Sequence, residues 1–225
     1  MKRGRILPRL AAMLAPAALL AACVNTEYVD WGDAENEPPV GPRQVEYVLD
    51  NEFYRDPPFC VVVLPVRVDG RPVDFSDVIE RTLARHLAGR LDRVIGPQER
   101  DHLERKLAVD LTDDGDRRLF ARLQRCGHAV EAEPWRDGDT YALFWSEARI
   151  GLDVRMRRAR DGFVVWRARH TATRSEGGLP TSFLSAAFNV FAAGAQHADP
   201  DVRLSVADDA VRRIVVSLPD TRLPQ

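Results

Sequence analysis

No run of about twenty apolar residues occurs in this 225-residue chain, so no segment is long enough to cross a bilayer as a helix. The nucleophile elbow G-x-S-x-G, the P-loop and the dinucleotide fingerprint G-x-G-x-x-G are all missing, which removes the best-marked hydrolase and nucleotide-binding classes. Histidine is scarce. His86, His102, His128, His170 and His197 never stand at H-x-x-H or H-x-x-x-H spacing, so no zinc pair is written into one helix face. Asp113, Asp114 and Asp116 lack the twelve-residue ligand pattern of a calcium loop and read as helix-capping residues. No metal site, no cofactor and no catalytic residue is expected. Basic excess is missing too. From Cys23 onward 28 Lys and Arg face 34 Asp and Glu, a balance of −6. Such a chain is a poor general binder of nucleic acid, which is held by phosphate neutralisation.

What is present begins at the N-terminus. Lys2, Arg3, Arg5 and Arg9 are basic, and no acid occurs before Glu27. The apolar run Leu10–Ala22 follows, interrupted by Pro16, and ends in small residues before Cys23. This is the layout of a secretory signal over 1–22. Leu20-Ala21-Ala22-Cys23 resembles the lipobox of bacterial lipoproteins. That resemblance implies removal of the leader and attachment of lipid to Cys23, a covalent anchor in place of a spanning helix. An Asp after the cysteine would resemble an inner-membrane retention signal; Val24 there implies, for a Gram-negative source, the outer membrane, and the expected location is its periplasmic face. The remaining thiols, Cys60 and Cys126, have two readings. An oxidising compartment favours a disulfide; two buried free cysteines would pack as small apolar groups.

Residues 23–58 read as a lipidated, largely flexible tether, rich in proline and acids and poor in apolar groups. Tyr28, Trp31, Tyr47, Phe53 and Tyr54 are exceptions, and 45–54 is expected to dock on the domain. A single domain spans 59–219, with 220–225 as a tail. Its expected class is α/β (α+β): a mixed sheet with a parallel β-α-β start, an antiparallel meander, and helices packed on it. Phe59–Val66 predicts a strand buried on both faces. Ile79, Leu83, Leu87 and Leu91 share a helical face, opened by a capping box of Asp77 and Glu80. Val94-Ile95 closes the crossover. A helix through Leu103 and Leu107 follows, then one capped by Asp113 or Asp114, carrying Leu119, Phe120 and Leu123 and ended by Gly127. His128–Trp135 is a strand. Tyr141 to Trp145, Ile150 to Met156 and Phe163–His170 alternate as strands, the last two joined by a hairpin at Asp161-Gly162. A final helix over Ser205–Ser217 turns Ala207, Val211, Ile214 and Leu218 inward.

Two surfaces are candidates for partner binding. Arg149, Arg155 and Arg157 lie opposite the apolar side of their strand, with Arg167 and Arg169 alongside on the return strand. Together they would make a basic face for an acidic partner, glycan or headgroup; the alternative is a solvated face of arginines paired to acids such as Asp153. Phe183, Phe188 and Phe191 lie in a small-residue helix over 179–198 that either covers the sheet or meets a second subunit or the membrane.

The order "VVVLPV", helix, "RVIGP", two helices, a meander holding "RDGFVVW", a Gly-Gly apolar segment and a helix ending "VVSLPD" resembles envelope lipoproteins whose domain is similar to the N-terminal domain of TolB, and more loosely to LpoB and CsgG. The resemblance implies a non-enzymatic α/β domain that binds envelope proteins, often after self-association. The pore-forming strands of CsgG and the propeller of TolB have no counterpart here. Two alternatives remain: an auxiliary lipoprotein of a transport system, and a hydrolase with a dispersed active site.

Overall fold

A computed structural model describes residues 26–31, 44–68, 71–72, 75–134, 136–137, 140–141, 149–173 and 200–222. Cys23, Phe183, Phe188 and Phe191, with the expected 179–198 helix and most of the Tyr141–Trp145 strand, lie outside them. The first elements are β1 (Glu27–Asp30), β2 (Gln44–Leu49), α1 (Glu52–Arg55) and β3 (Cys60–Val63). A two-residue pair, β4 (Arg67–Val68) and β5 (Arg71–Pro72), precedes α2 (Ser76–Leu87), β6 (Arg93–Ile95), α3 (Pro97–Leu107) and α4 (Asp114–Gln124). Then come β7 (His128–Pro134), the short pair β8 (Arg136–Asp137) and β9 (Thr140–Tyr141), β10 (Arg149–Arg158), β11 (Val164–Thr173) and α5 (Pro200–Val216).

Seven strands form one sheet in the order β1-β2-β11-β10-β7-β3-β6. β3 pairs in parallel with β6 and β7, and β1 with β2, whereas β10 is antiparallel to β7 and β11. The architecture is thus the expected mixed α/β sheet with helices packed on it. Every residue of β3 is buried. Val61 and Val63 point into the larger core, while Cys60, Val62 and Leu64 enter a smaller one. That two-sided burial explains the continuous valine run.

The larger core lies between the sheet and the helices α2 and α5. Ile79, Leu83 and Leu87 of α2 meet Ala207, Ala210, Val211 and Ile214 of α5, and Leu152, Val154, Met156 and Trp166 complete it. Trp166 is fully buried, and its indole N–H donates to Ser217 Oγ at 3.1 Å. The smaller core sits on the other face under α3 and α4, around Ile95, Leu111 and Phe120. There the Cys60–Cys126 disulfide, with Cα atoms 4.7 Å apart, ties the start of β3 to the residue beyond α4.

Several expectations are corrected. The ordered domain begins before residue 59, because β1 and β2 complete the sheet and Phe53 of α1 is fully buried. The expected docking of 45–54 takes the form of a six-residue strand whose Val45 enters the core and a helical turn that buries Phe53. The chain after Pro219 docks as well, with Thr221 N–H donating to Arg90 O at 2.9 Å. Asp77 and Glu80 form no capping box. Phe75 occupies the cap position without a side-chain bond. Glu80 instead turns inward, accepting Val66 N–H at 2.8 Å and pairing with Arg100 at 2.9 Å. Arg100 in turn donates to Val63 O at 3.0 Å. This buried pair fastens the exit of β3 to both α2 and α3.

Asp113 does cap α4, accepting from Gly115 and Asp116 N–H. The helix ends earlier than Gly127, at Arg125, which takes the left-handed conformation with φ 51°. Only Phe120 of its expected apolar residues is buried; Leu119 and Leu123 are exposed. The β10–β11 connection is longer than a two-residue turn. Residues 159–163 bridge the strands, Gly162 adopts φ +73°, and Asp161 accepts Phe163 N–H at 3.1 Å.

Candidate partner-binding surface

α3 and α4 cover only the β3–β6 half of their face. The other half is built from the outward residues of β7, β10, β11 and β2. Register sets their neighbours: Arg155 faces Arg167 across one ladder and Glu131 across the other, and Arg169 faces both Asp153 and Glu46. Like charges directly opposed are unfavourable, and the acids resolve the clash. Asp153, only 6% exposed, accepts from Arg155 Nε and Arg167 Nε, each at 3.1 Å. Arg155 also meets Glu133 at 3.4 Å, and Arg157 pairs with Glu131. Arg169 donates to Glu46 at 2.6 Å in a buried pair. Burial works against the charge of Arg155, but Asp153, Glu133 and Glu131 outweigh it and raise its pKa above the ordinary arginine value.

The expected basic face is therefore a charge lattice. Arg155, Arg157, Arg167 and Arg169 are matched by Glu46, Glu131, Glu133 and Asp153. The strand's own pattern displayed the arginines and Asp153, the acid of the paired alternative, which lies on β10 itself; Glu46 comes from β2 and Glu131 and Glu133 from β7, whose adjacency is a matter of topology. Arg149 opens β10, and its side chain lies outside the described residues. Trp31 was recognised as an apolar exception, not as part of this surface. It lies flat on the lattice, with the Arg167 and Arg169 guanidinium carbons 3.9 and 4.6 Å from its ring centroid. That cation–π stack binds the end of β1 to β11. Beside the lattice a groove of about 350 Å³ runs between Val48, Asp50, Arg155, Arg157 and Val164.

The histidines are dispersed. His86 Nε2 lies 2.6 Å from Asp208, and His170, fully buried, uses Nδ1 with Gln44 O at 2.7 Å. Burial lowers the pKa of His170. Among the described residues no group of three His, Cys, Asp or Glu side chains could hold a metal ion, and no helix is long and apolar enough to cross a membrane.

No protein-family model matches the chain, and no curated protein matches its sequence. Solved structures resemble it distantly. The PelC dodecamer from Paraburkholderia phytofirmans is 18% identical over 76% of this chain and 93% of that one, with a TM-score of 0.41. The LpoB C-terminal domain from Salmonella enterica is 12% identical over 55% and 90%, with a TM-score of 0.37. Lipoprotein GNA1162 from Neisseria meningitidis is 10% identical over 63% and 99%, with a TM-score of 0.35. None of these likenesses carries a function to this chain.

Proposed function

We propose that the protein is a lipid-anchored accessory or scaffold protein of the bacterial cell envelope, held at the periplasmic face of the outer membrane through Cys23 and acting by protein–protein contacts without catalysis. The observation that carries this reading is the Leu20-Ala21-Ala22-Cys23 tetrapeptide behind a basic and then apolar leader. Its position supports the reading further. Cys23 stands four residues before Glu27, the start of β1. That is at most ~14 Å of extended chain. An anchor there would hold the β1 edge of the sheet close to the leaflet rather than at the end of a long tether. Several acyl chains, at ~0.8 kcal/mol per buried CH₂, suffice for stable attachment.

The reading is tested by expressing the chain in a Gram-negative host, fractionating the envelope and measuring the intact mass. The expected product lacks residues 1–22, carries acyl mass on Cys23 and sediments with outer membrane. Cys23→Ser should leave the leader uncleaved and the lipid absent. An unmodified Cys23 in the wild-type chain overturns the proposal. Crosslinking of the lipidated protein in its own envelope then identifies the partner or a second copy.

A further inference from the structure

A second concavity, of about 450 Å³, opens at the end of the sheet where β7 and β3 begin and β10 ends. Arg118 and Arg122 approach it from α4, Arg125 from the residue closing that helix, Arg158 from the end of β10, Arg160 from the β10–β11 loop, and His128 from β7. Two of these groups are already engaged. Arg158 binds Asp161 at 2.7 Å and Glu52 at 3.1 Å. Arg160, largely exposed, stands 3.6 Å from Asp56 and 3.7 Å from Asp161. The guanidinium groups of Arg118, Arg122 and Arg125 have no partner among the described residues. Five guanidinium groups thus meet three carboxylates, one of which, Glu52, also pairs with Arg55, so at least two positive charges remain uncompensated.

His128 supplies an independent sign of a missing ligand. It is 4% exposed, and its Nε2 has no hydrogen-bond partner among the described residues. A buried polar atom without a partner costs about 1–3 kcal/mol, so such atoms are rare and call for an explanation. Burial lowers the His128 pKa, against a smaller opposing effect of Asp56. The neutral ring has one nitrogen that donates and one that accepts.

We infer that this recess binds a phosphate monoester carried on a body of about sugar size. Guanidinium forks recognise phosphate oxygens in bidentate fashion, and a phosphate monoester of about −1.5 to −2 charge matches the uncompensated pair. The volume exceeds what a lone phosphate fills and falls within the range of small-ligand sites, about 300–1,000 Å³. Phe59, 66% exposed, lines the same recess and offers an apolar wall to the uncharged part of the ligand. The disulfide fixes the geometry, since Cys60 lines the recess and Cys126 precedes its Gly127 wall.

Position separates a soluble ligand from a lipid headgroup. Glu27 lies at the level of Gln44, one residue from the Val45–His170–Leu152 row. Leu152 is six residues before Arg158 on β10, or ~20 Å along the sheet. The ~14 Å of chain before Glu27 cannot cross that distance and three strand spacings as well. The recess therefore faces away from an anchor at Cys23. This sidedness rests on the proposed lipidation; the recess itself does not.

The test is calorimetric titration of the full chain in non-ionic detergent with three probes: glucose 6-phosphate, unphosphorylated glucose and dihexanoyl phosphatidic acid. Saturable binding of glucose 6-phosphate, with none of glucose, is expected. The exposed pair Arg118→Glu/Arg122→Glu should weaken it about tenfold or more, and Arg118→Gln/Arg122→Gln should do so with unchanged thermal unfolding. The His128 ring resonances should shift on titration in the wild-type chain. Absence of binding, binding indifferent to both double variants, an unmoved His128, or tighter binding of the phosphatidic acid than of the sugar phosphate each overturns the inference. Because the probes never touch Cys23, failure here leaves the lipid-anchor reading standing.

Discussion

Single side chains carry unusual weight in this protein because several are charged and buried. Glu80 and Arg100 are each about nineteen-twentieths buried, with one anchoring α2 and the other α3 to the β3 exit. Arg100 also pairs with the half-exposed Asp101 at 2.8 Å, so loss of Arg100, not of Glu80, leaves the more poorly compensated charge. Arg100→Ala should therefore cost about 3–5 kcal/mol in urea unfolding, while Glu80→Leu/Arg100→Met should recover much of it, since apolar replacement of both members is often neutral. Equal losses in the single and double variants would show that the pair is held for packing alone. Ala108, the residue closing α3, adopts φ 53° without being glycine. The left-handed conformation costs about 1–2 kcal/mol for a residue with a Cβ, against the extra chain entropy that glycine loses on folding. Ala108→Gly should raise stability by up to about 1 kcal/mol, read from the denaturation midpoint.

At the scale of elements, cross-strand pairing decides what the outer face of β10 and β11 can do. Arg167→Glu would place a carboxylate beside Asp153 and remove the closer cation from Trp31. A loss of about 1–3 kcal/mol is expected, with faster amide exchange in β1, whose Trp31 contact is then weakened. The β10–β11 loop has a pH signature. Arg158 holds the Asp161 carboxyl at about 2, below its ordinary 3.8. A depressed carboxylate contributes stability in full above its unfolded pKa and loses it as pH falls through the folded value. The stability difference between the wild-type chain and Asp161→Asn should thus be constant from pH 7 to about 5 and shrink between about 4 and 2, measured by thermal unfolding. A difference that is flat to pH 2 would mean that the pair contributes nothing.

For the whole molecule, the disulfide spans 66 residues and closes the segment that holds α2, β6, α3 and α4. Opening a loop of this size costs about 2–4 kcal/mol. Cys60→Ala/Cys126→Ala should lower the unfolding free energy by that amount and lose ligand affinity at the recess together with it. The same molecule shows two opposite treatments of arginine. On the open sheet face each is matched by an acid, whereas at the sheet end Arg118, Arg122 and Arg125 are not. Arg118 and Arg122 share one stripe of α4 at i, i+4 spacing, and Arg125 joins them from the left-handed residue that closes the helix.

Local pattern alone determined much of this protein. The valine run of β3, the four-residue recurrence in α2, the Asp113 cap and the strand alternation of β10 each follow from rules that act within a few residues, and each element formed. Tertiary structure decided the rest. It drew Val45 and Phe53 from a proline- and acid-rich segment into the core, because a strand packed on one side needs apolar groups on that face only and a single helical turn can bury one ring. It turned Glu80 from an expected cap into a buried anchor, because Arg100 arrives from another helix. It completed the neutralisation of the arginine face, because Glu46, Glu131 and Glu133 arrive from strands distant in the chain to join the local Asp153. Charge balance is a property of neighbours in space, and a linear sequence names the charges without saying which will meet.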